Sequence, residues 1–289
     1  MTLEPRDLQA DLALAHQLAD AADAITLARF QSSDLVIETK PDLTPVTDAD
    51  KATEKKIREL ISTYRPQDLV VGEEFGAPSA SDMTGTSDTN GKYYWVIDPI
   101  DGTKNFLRGI PVWATLIGLI GPDNTVVAGV VSSPALARRW SAVRGQGAFV
   151  SALGAAPKQI HVSAVSKIED AQLSYSDLIG WGERKEAMLL LQEKVWRTRG
   201  IGDFWSHMLV AEGAVDIAVE PVLALWDMAA LDIIVREAGG NFTNIDGVAG
   251  PHGRSGLSSN GLLHSAFLTA LNGSHPSHPS HPSKLGSNG

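Results

Sequence analysis

Cysteine is absent from all 289 residues. Disulfide scaffolds, zinc–thiolate sites and chemistry through a cysteine nucleophile are excluded together. Positive charge is in short supply: 24 Lys and Arg against 34 Asp and Glu leave a formal net charge of −10, and the basic residues are scattered. A nucleic-acid partner needs clustered cations to neutralise phosphates, so none is expected. Long apolar runs are also missing. Stretches such as Val112 to Ile120 are too short to span a bilayer and suit buried strands, so no membrane partner is expected either. The N-terminal region carries Glu4, Asp7 and Asp11 in an amphipathic pattern, where a signal peptide would have a basic segment and an apolar core. A cytoplasmic location is the expectation. Glycine fingerprints for phosphate-binding loops are lacking: Gly200-Ile201-Gly202 has no third glycine, and Ser206-His207 lacks the glycine frame of a nucleophile elbow and reads as part of a helix.

What is present is enough apolar material, 43% of residues, for one large domain or two modest ones. Leu8, Leu12, Ala15, Ala19, Ala22 and Ile25 recur at helical spacing, predicting a long helix from about Glu4 to Phe30. Residues 31–46 read as a loop holding Pro41 and Pro45, placed to act either as a lid or as a plain connection with Lys40 in solvent. Helical periodicity resumes at Thr47, and 76–91 reads as an exposed polar excursion. Strands follow at Tyr93–Ile97, Trp113–Ile120, Thr125–Val131, Arg139–Val143 and Ala148–Val150, separated by turn signals that predict adjacent antiparallel pairing. From about Ile160 strands (Gln172–Ser176, Val215–Val219) mix with helices (Glu183–Val195, Phe204–Glu212, Met228–Ala238). The expected organisation is an N-terminal α+β half over 1–150, a C-terminal half over 151–272 and a Ser-His-Pro tail over 273–289. The tail is set aside as an expression tag.

Acids gather where these elements end and begin. Asp98 and Asp101 stand three residues apart after an apolar strand, in Trp95-Val96-Ile97-Asp98-Pro99-Ile100-Asp101-Gly102-Thr103. Pro99 is expected to stop the ladder at Asp98, and Gly102-Thr103 to offer backbone N–H groups at a helix start. Hard carboxylate oxygens next to such amides suit a divalent cation and a phosphate, although an isolated Asp-Pro or Asp-Gly pair is also an ordinary turn. Glu73-Glu74 follows the apolar Leu69-Val70-Val71-Gly72, and Asp227 lies in Trp226-Asp227-Met228-Ala229-Ala230. Asp50, three residues after Thr47, fits a capping box and by itself reads as structural.

Gly72-Glu73-Glu74, Asp98-Pro99-Ile100-Asp101-Gly102-Thr103 and Trp226-Asp227-Met228-Ala229-Ala230, in that order, resemble the signature of the inositol monophosphatase superfamily. Lys40 to Asp50, Pro134 to Trp140 and Gly202-Asp203-Phe204 further resemble its actinobacterial branch of histidinol-phosphate phosphatases. The resemblance implies a mixed α/β (α+β) fold, a layered αβαβα sandwich of the inositol monophosphatase/fructose-1,6-bisphosphatase type. It implies Mg²⁺, roughly two or three ions per site, with Glu73, Asp98, Asp101 and Asp227 as side-chain ligands and Ile100 through its carbonyl. Gly102 and Thr103 would hold the phosphate through backbone amides. Thr103 and Asp50 would orient the attacking water, with the Thr103 hydroxyl bonded to Asp50 and Glu74 in support. A homodimer and a small phosphate ester as partner are also implied.

The ester is read from the second half. Glu220 and Asp203 fall on the leaving-group side; two acids in one pocket favour a cationic substrate such as histidinol phosphate. Glu220 discriminates less, because inositol-specific members also place an acid there, and Asp203 has an alternative role as cap of the helix at Phe204. Phe204 and Trp205 either face an imidazole or belong to the core. Expected is hydrolysis of L-histidinol phosphate by metal-activated water in histidine biosynthesis. Its alternatives are an inositol-1-monophosphatase or broad-specificity sugar phosphatase, and a catalytically silent regulatory protein.

Overall fold

The computed structural model describes residues 6–41, 43–76, 91–152 and 155–273; most of the expected polar excursion and nearly all of the Ser-His-Pro tail lie outside them. The elements in chain order are α1 (Leu8–Arg29), β1 (Ile37–Thr39), β2 (Pro45–Thr47), α2 (Asp48–Tyr64), β3 (Leu69–Gly72), β4 (Tyr94–Asp101), α3 (Thr103–Leu107), β5 (Ala114–Ile120), β6 (Val126–Ser133), β7 (Arg138–Val143), β8 (Ala148–Ala152) and β9 (Lys158–Ile160). There follow β10 (Gln172–Tyr175), α4 (Lys185–Lys194), β11 (Arg197–Gly200), α5 (Asp203–Ala211), β12 (Ile217–Glu220), α6 (Leu225–Glu237), β13 (Asn241–Thr243), β14 (Gly256–Ser259) and α7 (His264–Asn272).

Two sheets form the frame. The larger runs β3 to β9 in sequence order, and the smaller has the order β11-β10-β12-β14-β13. In the large sheet β3 and β4 are parallel and every later neighbour is antiparallel, the meander that the closely spaced turn signals predict. Alternation along β5 sends Ile117 and Leu119 to a core shared with α1 and α2, while Ala114, Leu116 and Ile120 enter the core under α5 and α6. The outer face of the small sheet packs on α4 and α7 through Leu173, Met188, Leu191 and Phe267. The layers are therefore αβαβα, as the family resemblance implies.

Helix α1 keeps most of its expected stripe: Ala15, Ala19 and Ala22 are buried, and Leu8 and Leu12 pack partly buried against the same core. The buried face also takes in Asp11, Leu14, Leu18 and Thr26, while Ile25 lies at its edge. Asp11 is tolerated there because Arg6 (2.6 Å) and Arg65 (2.8 Å) both donate to it. Full burial of Leu14 and Leu18 contributes about 1.5–3 kcal/mol each.

Residues 31–46 are not a featureless loop. They hold the antiparallel hairpin of β1 and β2, short enough that no periodicity betrays it. Nor does Pro99 end its strand. Asp98 pairs with Leu116 and Asp101 with Ala114, so three steps on β4 oppose two on β5 and the ladder resumes beyond the proline. The bulge absorbs the missing N–H.

Candidate metal centre and active site

That bulge decides the chemistry. Residues three apart on a regular strand face opposite sides of the sheet, and one extra residue returns Asp101 to the side of Asp98. Asp227 arrives from the first turn of α6, and carboxylate oxygens of Asp98, Asp101 and Asp227 lie within 4.8 Å of one another. Each is anchored by a backbone N–H: Ile100 to Asp98 (3.0 Å), Phe204 to Asp101 (2.6 Å) and Ala224 to Asp227 (2.7 Å). Burial is the first cause that raises the carboxyls of Asp98 and Asp101 well above the ordinary range, and neighbouring acids add to it. Asp227 is pushed up to about 7 for the same leading reason. Three crowded carboxylates with this much uncompensated charge fit a hard divalent cation by donor type and by charge.

Glu73 lies beside the trio, and its charge helps to raise Asp98 and Asp227. Lys40, at the end of the β1–β2 hairpin and not in open solvent, donates to Glu73 Oε1 and Glu74 Oε1, both at 2.7 Å. Burial still pushes Glu74 up to about 7 against the pull of Lys40. The turn carrying both glutamates is clamped from behind by Glu54, which is fully buried and accepts from Glu74 N (2.7 Å), Phe75 N (3.3 Å) and Arg58 Nε (2.7 Å). Gly72 is required for this approach, since a Cβ there would lie 2.1 Å from Glu54 Oε1.

Asp50 and Thr47 form the capping box that their spacing predicts, with Thr47 N donating to Asp50 Oδ2 at 2.9 Å. Asp50 Oδ1 is buried without a partner, and burial, opposed by Thr47, pushes the carboxyl up to about 6. The expected bond from Thr103 to Asp50 is replaced: Thr103 Oγ1 donates to the Ile100 carbonyl at 3.0 Å. That bond reaches back three residues to a main-chain carbonyl, a common local partner for a threonine hydroxyl. Gly102 leads into α3 at φ 85°, where a Cβ would meet Val112 O at 3.0 Å.

On the opposite side, Asp203 opens α5 at φ 52°, a conformation that Asp tolerates better than most residues. It is not the cap of its helix. The Phe204 N–H goes to Asp101, and Asp203 Oδ2 accepts instead from Asn105 Nδ2 at 3.2 Å. Burial and the charge of Glu220 raise Asp203, pushed up to about 7. Glu220 ends β12 at 4% exposure. Phe204 is wholly buried against Trp140 and Trp205, so it belongs to the core.

The signature of the inositol monophosphatase family matches residues 7–275. The chain belongs to that family. It is 55% identical over 264 residues to a histidinol-phosphatase of Mycobacterium tuberculosis, covering 91% of this chain and 98% of that protein. To a histidinol-phosphatase of Streptomyces coelicolor it is 54% identical over 267 residues, covering 91% and 97%. Its fold superimposes on the extragenic suppressor protein suhB of Bartonella henselae with a TM-score of 0.80 at 26% identity, covering 92% of this chain and all, 100%, of that one. As a member of the inositol monophosphatase family the chain is a phosphatase, and the acid trio fits the metal dependence of that family.

Sequence reading passed over the Glu54–Arg58 clamp and Asn105, left Lys40 between a lid and solvent, and gave His207 only a place in a helix. Of the two groups missed, Glu54 carried a signal, since it lies four residues beyond Asp50 and so on the same helix face.

Proposed function

We propose that this phosphatase is Mg²⁺-dependent and hydrolyses L-histidinol phosphate to L-histidinol and phosphate, a step of histidine biosynthesis. The observation that carries the substrate is the pair Asp203 and Glu220. Glu220 is buried and Asp203 half-buried beyond the metal trio, and each raises the cost of ionising the other acids around it. A cationic group on the substrate offsets that charge where a neutral polyol does not. The two actinobacterial relatives above carry the same activity in their names.

Asp98, Asp101, Asp227 and Glu73, with the Ile100 carbonyl, would hold Mg²⁺, which when bound supplies a Lewis acid that acidifies water and draws charge from phosphoryl oxygens. The chain does the rest. Gly102 and Thr103 N–H groups at the start of α3 receive the phosphate oxygens. Thr103 Oγ1, whose proton is committed to Ile100 O, keeps its lone pairs toward the attacking water and orients it. Asp50 Oδ1, buried and unpaired, accepts the water proton, assisted by Glu74. With Asp50 at about 6, that carboxylate is ionised and still basic near neutral pH. The hairpin of β1 and β2 covers this side through Lys40. The working enzyme is a cytoplasmic homodimer.

Phosphate release measured with and without EDTA, then with Mg²⁺ restored, tests the metal. A panel of histidinol phosphate, inositol 1-phosphate and fructose 1,6-bisphosphate tests the substrate. Histidinol phosphate is expected to have the highest kcat/KM, and a higher value for inositol 1-phosphate overturns the assignment.

A further inference from the structure

Behind Glu220 lies a histidine to which the reaction above assigns nothing. His207, on the second turn of α5, is fully buried, with its ring tilted against Phe242 at a centroid distance of 5.7 Å. Its Nδ1 makes a hydrogen bond with Ser258 Oγ on β14. Its Nε2 lies 3.6 Å from Glu220 Oε1. Neither of those last two atoms has a hydrogen-bond partner among the described residues, and both are buried.

With the imidazole neutral, two unsatisfied polar atoms buried face to face have one consistent arrangement. If the ring proton sat on Nδ1, the lone pair of Nε2 would oppose the carboxylate at close range in a low-dielectric interior. If Ser258 donates to Nδ1, the proton sits on Nε2 and points at Glu220 Oε1. The serine hydroxyl thus selects the tautomer that the carboxylate needs. Glu220 in turn ends β12 and lies near enough for its charge to act on Asp203, Asp101 and Asp227, acids gathered by the Phe204 N–H bond to Asp101 at 2.6 Å and by the trio's spacing within 4.8 Å. The same helix that opens with Asp203 therefore carries, one turn later, the group that backs Glu220.

We propose that His207, with its tautomer set by Ser258, is a positioning residue that holds Glu220 for the cationic end of the substrate, so that Ser258, His207 and Glu220 together select aminated phosphate esters. This rests on the reading of Asp203 and Glu220 as the cation-binding pair. His207 Nε2–H faces Glu220 Oε1 across 3.6 Å and orients the carboxylate by electrostatic attraction without a direct hydrogen bond. The histidine acts through Glu220 and touches neither phosphate nor metal.

Two measurements on the full chain decide it. Nitrogen-15 NMR of the metal-free protein is expected to find the His207 proton on Nε2, with Nδ1 as acceptor, and Ser258→Ala to shift that signature. A proton resident on Nδ1 overturns the proposal. The second measurement is the ratio of kcat/KM for histidinol phosphate to kcat/KM for glycerol phosphate. His207→Leu and Ser258→Ala are each expected to lower it about tenfold, chiefly through KM for histidinol phosphate. His207→Gln, which returns an N–H donor, is expected to recover most of the loss. In a Glu220→Gln background His207→Leu should add nothing further. Parallel decline of both esters marks a packing role and overturns the proposal. A ratio lowered by Glu220→Gln but unmoved by the Ser258 and His207 variants overturns the positioning role alone. A ratio unmoved by Glu220→Gln overturns the cation reading beneath it, and the positioning role falls with it.

Discussion

The metal side and the leaving-group side of this cavity are built on different terms. On the metal side every clustered carboxylate is pinned by a main-chain N–H, from Ile100, Phe204 and Ala224. On the other side the contacts are with side chains: Asn105 donates to Asp203, and the His207 ring stands 3.6 Å from Glu220 Oε1. Main-chain donors belong to the sheet and to helix starts, so they move only when the fold moves. Side-chain donors are exchangeable one substitution at a time. A centre that must bind the same ion in every member is best held by backbone, whereas a pocket that tells esters apart gains from replaceable parts.

The comparison is broken most directly at Asp101. Asp101→Asn keeps the shape but removes a charge from the cation site, and activity is expected to fall about a thousandfold or more. Steady-state phosphate release over a range of Mg²⁺ checks it; full activity at ordinary Mg²⁺ would show that Asp101 serves only to cap α5. At Asp203 the effect should be selective in place of total. Asp203→Asn forfeits a charge-assisted contact of about 1.5–3 kcal/mol and is expected to lower kcat/KM for histidinol phosphate roughly ten- to a hundredfold, sparing a neutral ester. Equal losses for both esters would place Asp203 on the structural side of the divide.

Glu54→Gln sharpens the comparison from behind the metal side. It keeps an oxygen for Glu74 N but loses the charge shared with Arg58 and weakens the clamp on the Glu73–Glu74 turn. The Mg²⁺ concentration for half-maximal activity should rise about tenfold, in the range of losses seen when groups behind a metal ligand are altered. Calorimetric Mg²⁺ titration separates this from a loss in turnover; unchanged affinity would mean that Glu73 needs no clamp.

The smallest expected effect concerns pH. Asp203 and Asp227 have folded values pushed up to about 7 from an ordinary 3.8, so between those values the folded state binds more protons than the unfolded one. The stability these two carboxyls contribute to the metal-free protein is therefore full below about 4 and is lost as pH rises toward about 7. A drop of a few degrees in Tm across that interval, abolished by Mg²⁺, is the expected record in scanning calorimetry. A metal-free Tm that rises with pH over the same interval contradicts it.

Much of this was legible beforehand, for reasons that differ from residue to residue. Asp98, Asp101 and Asp227 were readable because each sits in a contiguous motif at the edge of an apolar element, and the Thr47–Asp50 capping box because it spans a single turn. The large sheet was readable because short turns force neighbours in sequence to become neighbours in space. The hairpin in 31–46 escaped because strands of three residues carry no usable period. The chain by itself determined which acids are available and which faces of α2 and β5 are apolar, since these depend on spacing within one element. Tertiary structure alone decided that a bulge turns Asp101 to the side of Asp98, that Lys40 reaches Glu73 and Glu74, that Asp101 caps α5 across 103 residues, and that His207 stands behind Glu220. The physical reason is that each of these is a contact between elements far apart in sequence, set by register and packing, and no local pattern of residues encodes where a distant element comes to rest.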